Sequence, residues 1–542
     1  MAFVLGVMPI WLSSAEMWDG VIGSYALETN NWLTIKGWIL NSNWYITYTI
    51  FLLVDLIHQL TLIPYWIQFK FWVSLMILGI TYEAYKLAQS QFEISQTTAA
   101  WIPALVFSFP LWYVFFSYTP MIGHITCVWL ALIGYRLMDA QKPSTCVLGT
   151  VLVIFSFQLA SNCTFLIALE LSKWLLLRDK SSWKYWKTLL ILGLSIFVFY
   201  VTRIVWPPTG TYVGYNKLLN PLEMSSWFIY LQRASIWGTW LLLLIPVSIG
   251  ILLNRRSVTG LEEVTLNTSR NSQYVSSFVI LALAASLPYI AVGLASPLFI
   301  VNALSSSSLS AVLASSSNII SVWYGGWGVR HTLLLMVVVT LFVVWLVQFS
   351  KPLGQRTTNN GAAHKILIAT IVVNLIFLVP GHFAKLTRIA QERTIVQVLK
   401  RSPEIPYGQV EFLVSKDIDY VLGSYETNYL LFSAYGTTHW LSYLLPDRPA
   451  VRAWVEKDRS SILERGAKTP ELVAGQNVMT DYDWSNQCRT VARLVLPTLD
   501  LKDVFWRAEH APVNLPRAEV QPVSSNCVGA SPFWTGAPVQ SQ

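Results

Sequence analysis

Near its start the chain reads Glu16-Met-Trp-Asp19-Gly20-Val-Ile-Gly-Ser-Tyr25-Ala-Leu-Glu28, three carboxylic acids within thirteen positions. Glu16 and Asp19 are three apart, so one helical turn would put both on the same side. Two neighbouring carboxylates suit activation of an acceptor hydroxyl. One takes the proton, while the other raises its pKa or orients it. Gly20, directly after Asp19, lets the backbone approach a substrate closely. Asp19 is the first candidate for the base and Glu16 the second. Glu28, within Tyr25-x-x-Glu28-x-x-x-Trp32, suits either a sugar hydroxyl or a surface ion pair with Lys36.

The elements that must position these acids follow from composition. The 542 residues are 54% hydrophobic, 14% aromatic and 12% charged, with a mean hydropathy of +0.49. Soluble domains carry about 25% charge. The expected fold class is therefore an all-α polytopic membrane protein. The 37 Lys+Arg against 29 Asp+Glu fit cationic cytoplasmic loops and require no nucleic-acid partner. Carboxylates ionised in hydrocarbon are costly, so the acidic stretch must reach water at one bilayer face. An ordinary polar loop after a first helix is the plain alternative. Met1 to Ser13 is shorter than the about 20 residues of a comfortable span. It has no basic n-region or cleavage site, so a short tilted helix is expected rather than a removed signal peptide.

Trp32 to Trp44, with Trp38 and Lys36, suits the headgroup level. Apolar runs follow at about 45–64, 68–88, 100–118, 121–138, 188–206, 235–253, 275–295, 332–349 and 366–383. Val147 to Leu177 is one long run interrupted by Ser161-Asn162, readable as one steep helix or two short ones. Basic clusters at Arg178/Lys180/Lys184/Lys187, Arg255/Arg256/Arg270 and Lys351/Arg356/Lys365 should be cytoplasmic. Ser296 to Val329 carries no charge and suits the opposite face. Its serines fit a flexible connector, or a loop that orders when a lipid substrate arrives. If 147–177 is one crossing, about eleven helices result, and the acidic loop, the uncharged loop and the tail share a face. If it is two, the parity fails; the eleven-helix version is the expectation, because it puts these three on one face.

The expected division is a membrane domain over 1–383, with the first outer loop at 14–43, and a small extracytoplasmic α/β domain over 384–542. In that tail, Gln409 to Val414 reads as a strand after the turn Ile405-Pro-Tyr-Gly408. Arg388 to Lys400 and Glu426 to Gly436 read as helices. Cys127, Cys146 and Cys163 lie in apolar stretches and read as packing residues. Cys488 and Cys527 suit a disulfide if the tail is outside the cytoplasm. Asp55 and His58, three apart on the second helix, would suit a proton relay, which favours a transporter, but read rather as a structural pair near the cytoplasmic end; Glu170/Lys173 have the same spacing and the same structural reading. No P-loop, Gly-rich nucleotide cradle or His-Glu-x-x-His motif occurs, which disfavours ATP drive and nucleotide-sugar donors.

An acid-bearing first loop, many helices and a soluble tail on the same face together resemble the GT-C superfamily of glycosyltransferases. Trp18-Asp19-Gly20-Val-Ile-Gly-Ser-Tyr25, Phe155-Ser-Phe-Gln-Leu-Ala-Ser-Asn162 and Pro380-Gly381-His382 look like bacterial members that decorate O-antigen or other surface polysaccharides. The paired acids common in that loop are spread here as Glu16-x-x-Asp19. The resemblance implies an undecaprenyl-phosphate-sugar donor, a glycan or lipid-linked oligosaccharide acceptor, and a first-loop acid as general base. It also implies membrane lipids as surroundings and a bacterial inner membrane with the C-terminal domain periplasmic.

Such a donor needs cations, because the leaving phosphate gains charge as its bond to the sugar breaks. Arg330-His331 opens an apolar run after Trp323-Tyr-Gly-Gly-Trp327-Gly, and a guanidinium binds phosphate through two parallel bonds. Arg330 is the first candidate and His331 its assistant; snorkelling to headgroups is the alternative role for Arg330. Arg203 and Arg233 are weaker candidates, and His382, Lys385 and Arg388 form an anchoring group. A divalent metal beside the acids is compatible with the sequence but not indicated by it. The rival functions are a flippase or transporter of lipid-linked oligosaccharide, which would show internal repeats and mid-membrane ionisable groups, and a polysaccharide polymerase.

Overall fold

The computed structural model describes residues 27, 32–40, 43–109, 112–117, 121–140, 142–176, 182–207, 217–218, 222–223, 268–293, 332–349 and 365–375, and in the tail 409–414, 451–455, 470–472, 479–481, 489–495 and 519–525. Contacts divide the chain into two units, one of 1–11, 39–116 and 121–378, the other of 12–38, 117–120 and 379–542.

The described part of the first unit is helical apart from one two-residue strand pairing, Lys217–Leu218 with Val292–Gly293. Its helices are α1 (Tyr45–Thr61), α2 (Tyr65–Ser90), α3 (Ile102–Ser108), α4 (Trp112–Ser117), α5 (Ile122–Met138), α6 (Pro143–Ser156), α7 (Ser161–Leu176), α8 (Ser182–Val205), α9 (Thr268–Ala291), α10 (Leu333–Phe349) and α11 (Lys365–Leu375). Single helical turns at Trp32–Ile35 and Gln96–Ala99 and a π-helical turn at Lys36–Leu40 precede or join them.

Local chemistry sets the boundaries. α1 stops at Leu62, whose φ of 59° is left-handed and whose N–H closes on the His58 carbonyl. Pro64 then occupies the N-cap of α2. Pro143 opens α6 at a position where a missing N–H costs nothing. Phe109 is extended ahead of Pro110, as a residue before proline prefers. The expected run 100–118 is therefore broken into α3 and α4, and Trp112 Nε1 bridges the break to the Val106 carbonyl at 2.8 Å.

Paired contacts fix the directions. α2 runs parallel to α5: Trp72 Nε1 donates to Thr126 Oγ1, Gly79 faces Trp129, and Glu83 pairs with Arg136. α6 runs back along α5, backbone against backbone. A Cβ on Gly149 would stand 2.6 Å from the Met138 nitrogen and 2.7 Å from the Gly134 oxygen, the small-residue packing that lets helices approach closely. α7 runs parallel to α5 again, with Asn162 at the Cys127 carbonyl and Glu170 at Tyr135. α9 is antiparallel to α7, through Thr164 to Ala284 and Ser172 to Ser277. α10 is antiparallel to α9, through Phe278–Phe342 and Tyr274–Trp345.

Two expectations are corrected by these directions. The run 147–177 is not one crossing but part of two antiparallel helices, α6 and α7, reversing at 157–160. Uniform apolarity hides the reversal. Its lock is Asn162, fully buried, whose amide donates to the Ser156 carbonyl at 2.9 Å and the Cys127 carbonyl at 3.1 Å. The first bond meets a carbonyl that the end of α6 leaves open, and the second ties the reversal to α5. The run 45–64 likewise does not span the length of the bundle. α1 starts beside the first turn of α5, where Trp44 stacks on His124 at 4.2 Å, and leads directly into the first turn of α2. Because α2 and α5 are parallel, α1 begins and ends at one end of the bundle. The two corrections offset, and the acidic loop's last residue still lies at the bundle end where α8 finishes.

Among the described residues one stretch, Thr188–Val205 in α8, is both long and apolar enough to cross a bilayer alone, with a mean hydropathy of 2.1. α1, α5, α6 and parts of α9, α10 and α11 are shorter apolar helices. Many outward side chains are apolar: Leu53 and Leu56 on α1, Phe71 and Leu78 on α2, Val147 and Val151 on α6, and Leu190, Leu194 and Phe197 on α8 are all exposed.

In the second unit, Gln409–Val414 is a strand as expected (β1), followed by β2 (Val451–Val455), β3 (Pro470–Leu472), β4 (Met479–Asp481), β5 (Arg489–Val495) and β6 (Glu519–Ser525). Four form a sheet in the order β2-β1-β5-β6, with β1 parallel to β2 and β5, and β5 antiparallel to β6. Pro522 sits in the edge strand opposite Ala492, beside the register shift, where a residue without an N–H is tolerated. The expected tail helices 388–400 and 426–436 lie outside the described residues.

Candidate functional site

Of the candidate residues, Arg203 is described; Glu16, Asp19, Glu28, Arg233, Arg330 and His331 lie outside the described residues, as do His382, Lys385, Arg388, Cys488 and Cys527. Arg203 occupies the last turn of α8. Its guanidinium lies over the Phe199 ring, 5.3 Å from the centroid, and within electrostatic reach of Tyr45 and Tyr200. Phe199 in turn meets Phe157 in the reversal between α6 and α7, edge to face at 6.0 Å. The cation is thus held on an aromatic shelf at the bundle end, a placement that costs less than bare burial.

The same end is closed by a knot of amides and rings around residues 43–46. Asn43 is buried, with φ 61°. Its Nδ2 donates to the Trp206 carbonyl at 2.7 Å, and its Oδ1 accepts from the Tyr45 hydroxyl at 3.3 Å. The Ile46 N–H, one of the open donors at the start of α1, is met by Gln158 Oε1 at 2.9 Å. Trp44 covers the His124 ring. Three separate stretches, the turn 157–160, the first turn of α5 and the last turn of α8, therefore converge where the acidic loop ends. Lys217–Leu218 pairs antiparallel with Val292–Gly293 just beyond α9.

The opposite end carries an ionic network. Arg136 grips Glu83 with two bonds, Nε to Oε2 at 2.7 Å and Nη2 to Oε1 at 2.9 Å. The Tyr135 hydroxyl donates to Glu170 Oε2 at 2.6 Å. Lys173 lies 3.0 Å from Asp139 and 3.9 Å from Glu170, so Glu170 and Lys173 are the structural pair expected. Gln91 adds a bond to the Leu169 carbonyl at 3.0 Å. The network ties the C-terminal turns of α2, α5 and α7, with the Glu83 and Glu170 carboxylates buried and the Arg136 guanidinium half-exposed.

The expected Asp55–His58 pair is corrected: the two are engaged separately, at the turn between α1 and α2. Asp55 accepts from the Tyr65 hydroxyl at 2.8 Å and from Gln59 at 3.0 Å. His58 Nδ1 meets the Ile63 carbonyl at 2.7 Å, and its ring stacks against Tyr65 at 4.1 Å. Both fasten the α1–α2 turn. Cys127 and Cys163 are buried and unpaired, as expected of packing residues, and Cys146 is half-buried. Among the described residues no group of three or more His, Cys, Asp or Glu is arranged to hold a metal ion.

Sequence reasoning did not single out Asn43, His124 or Glu83. The available signal was a polar or charged residue inside an apolar run, which marks a partner without naming it. Gln158 and Asn162 did fall inside the segment Phe155 to Asn162 that carries the family resemblance, and both are structural anchors of the reversal. No protein-family model, curated protein or solved structure matches the chain.

Proposed function

We propose that the chain is an integral-membrane, GT-C-like inverting glycosyltransferase of the bacterial inner membrane. It moves one sugar, a hexose, from undecaprenyl-phosphate to a surface glycan such as O-antigen on the periplasmic face. Asp19 accepts the proton of the acceptor hydroxyl, with Glu16 orienting it. The freed oxygen pair attacks the anomeric carbon opposite the phosphate. The carbon–oxygen bond to phosphate breaks with its electrons, and the anomeric configuration inverts. The phosphate departs as an anion that arginine stabilises, Arg330 first, with Arg203, Arg233 and His331 in support and Glu28 on a sugar hydroxyl.

The observation that carries this reading is that Arg203 and the closing residues of the acidic loop meet at one bundle end through the Asn43–Trp206 bond. A base and a phosphate-binding cation have to share one end for such a transfer. The other end holds Arg136, Lys142 and Lys173 and leads into the basic stretch 178–187, which favours it as cytoplasmic. The helices then cross the bilayer, and the tail is extracytoplasmic. Its parallel strands need crossovers of a dozen or more residues, and 415–450 and 456–488 supply them. We read the tail as an α/β module that binds acceptor glycan by aromatic stacking.

A transporter or flippase would draw on ionisable groups midway along the bundle. Glu83, Arg136, Glu170 and Lys173 instead pair with one another near one end, which favours the transferase. The test is Asp19→Asn. Sugar transfer should be lost while folding and undecaprenyl-phosphate binding persist. An unchanged sugar composition of the surface glycan would refute the role of Asp19.

A further inference from the structure

The last turn of α8 carries both Arg203 and a helix end that cannot be prolonged, since Trp206 is followed by Pro207 and Pro208. Carbonyls in such a turn lack intrahelical donors. The Trp206 N–H closes on the Thr202 carbonyl at 2.8 Å, and the Trp206 carbonyl is met from far along the chain, by the amide of Asn43 at 2.7 Å.

Asn43 is itself fixed. It is 6% exposed and left-handed at φ 61°, a conformation asparagine tolerates better than most residues. Its N–H closes on the Leu40 carbonyl at 2.8 Å, and the next N–H, of Trp44, on the Ile39 carbonyl at 2.9 Å. Trp44 stacks on His124 and Ile46 is held by Gln158. One side chain therefore joins the exit of the acid-bearing loop to the turn that holds a guanidinium.

We propose that Asn43 is a positioning residue for the donor phosphate, setting the last turn of α8 and with it the place of Arg203 relative to the loop that ends at residue 43. The proposal rests on the transferase reading above. Asn43 touches no substrate; it acts through the Trp206 carbonyl. Losing the amide frees the turn, so the phosphate meets a guanidinium that must first be ordered.

Asn43→Gly is the informative variant, because glycine keeps the left-handed backbone without strain and removes only the amide. The full chain in lipid nanodiscs is titrated with undecaprenyl phosphate, and amide hydrogen exchange is followed at 39–46 and 203–206. The expected result is an affinity about three- to tenfold weaker, as for loss of one hydrogen bond, with faster exchange in both segments. The double variant with Arg203→Ala should bind no more weakly than Arg203→Ala alone. With the glycosylated donor, KM should rise and kcat should fall, because the guanidinium meets charge that grows on the departing phosphate. Asn43→Gln, whose longer amide cannot reach the same point from a left-handed backbone, should not rescue. Unchanged affinity despite faster exchange would overturn the proposal, and so would exchange confined to 39–46. Failure of the wild-type chain to bind undecaprenyl phosphate would instead overturn the transferase reading itself, and the positioning role with it.

Discussion

The grip of Arg136 on Glu83 gives the sharpest stability prediction. The two side chains are unequal: Glu83 is 2% exposed and Arg136 is 42% exposed. Replacing Arg136 with Met removes both bonds, at 2.7 and 2.9 Å, and strands a carboxylate that water cannot reach. An uncompensated buried charge of this kind costs about 3–5 kcal/mol. Replacing Glu83 with Gln strands only a half-exposed guanidinium, which can turn to water, and the loss should be about 1 kcal/mol. The double variant Glu83→Met, Arg136→Met removes both charges and should be more stable than Arg136→Met alone. Thermal unfolding of the full chain in detergent, followed by tryptophan fluorescence, ranks the three variants. Equal losses for the two single variants, or a double variant worse than Arg136→Met, would refute the argument that burial of Glu83 sets the cost.

Two further substitutions probe the helical pair that reverses at 157–160. Asn162→Leu leaves the Ser156 and Cys127 carbonyls without the amide and should lower stability by about 2–3 kcal/mol; unfolding in denaturant checks it, and a loss below about 0.5 kcal/mol would contradict the locking role. Gly149→Leu forces a side chain against the backbone of Leu137 and Met138, where even a Cβ comes within 2.6 Å, and should cost at least about 1–3 kcal/mol. The same assay measures it, with exposed Val147→Leu as the control expected to change little.

How much of this could be read from the sequence depends on the range of the interaction. The positions of α2, α5 and α8 follow from local apolarity, and β1 from a period-two pattern after Pro406-Tyr-Gly408. The directions of α1, α6 and α7 do not, because hydropathy records that a segment is apolar and not which way it runs. Glu83 and Arg136 stand 53 positions apart, and Asn43 and Trp206 stand 163 apart. No local pattern announces either pair. At the candidate site the type of residue was legible and the company it keeps was not. Arg203 was a weak candidate as an isolated cation, and the Phe199 ring, Tyr45 and the Asn43 tie to its turn give it a defined setting.

The reversal at 157–160 bears on how such a chain could change over time. α6 and α7 go out and return, so they could lengthen, shrink or vanish as a couple without exchanging the bundle ends at which the segments on either side begin. The oblique helix α1, which enters and leaves at one end, has the same neutrality.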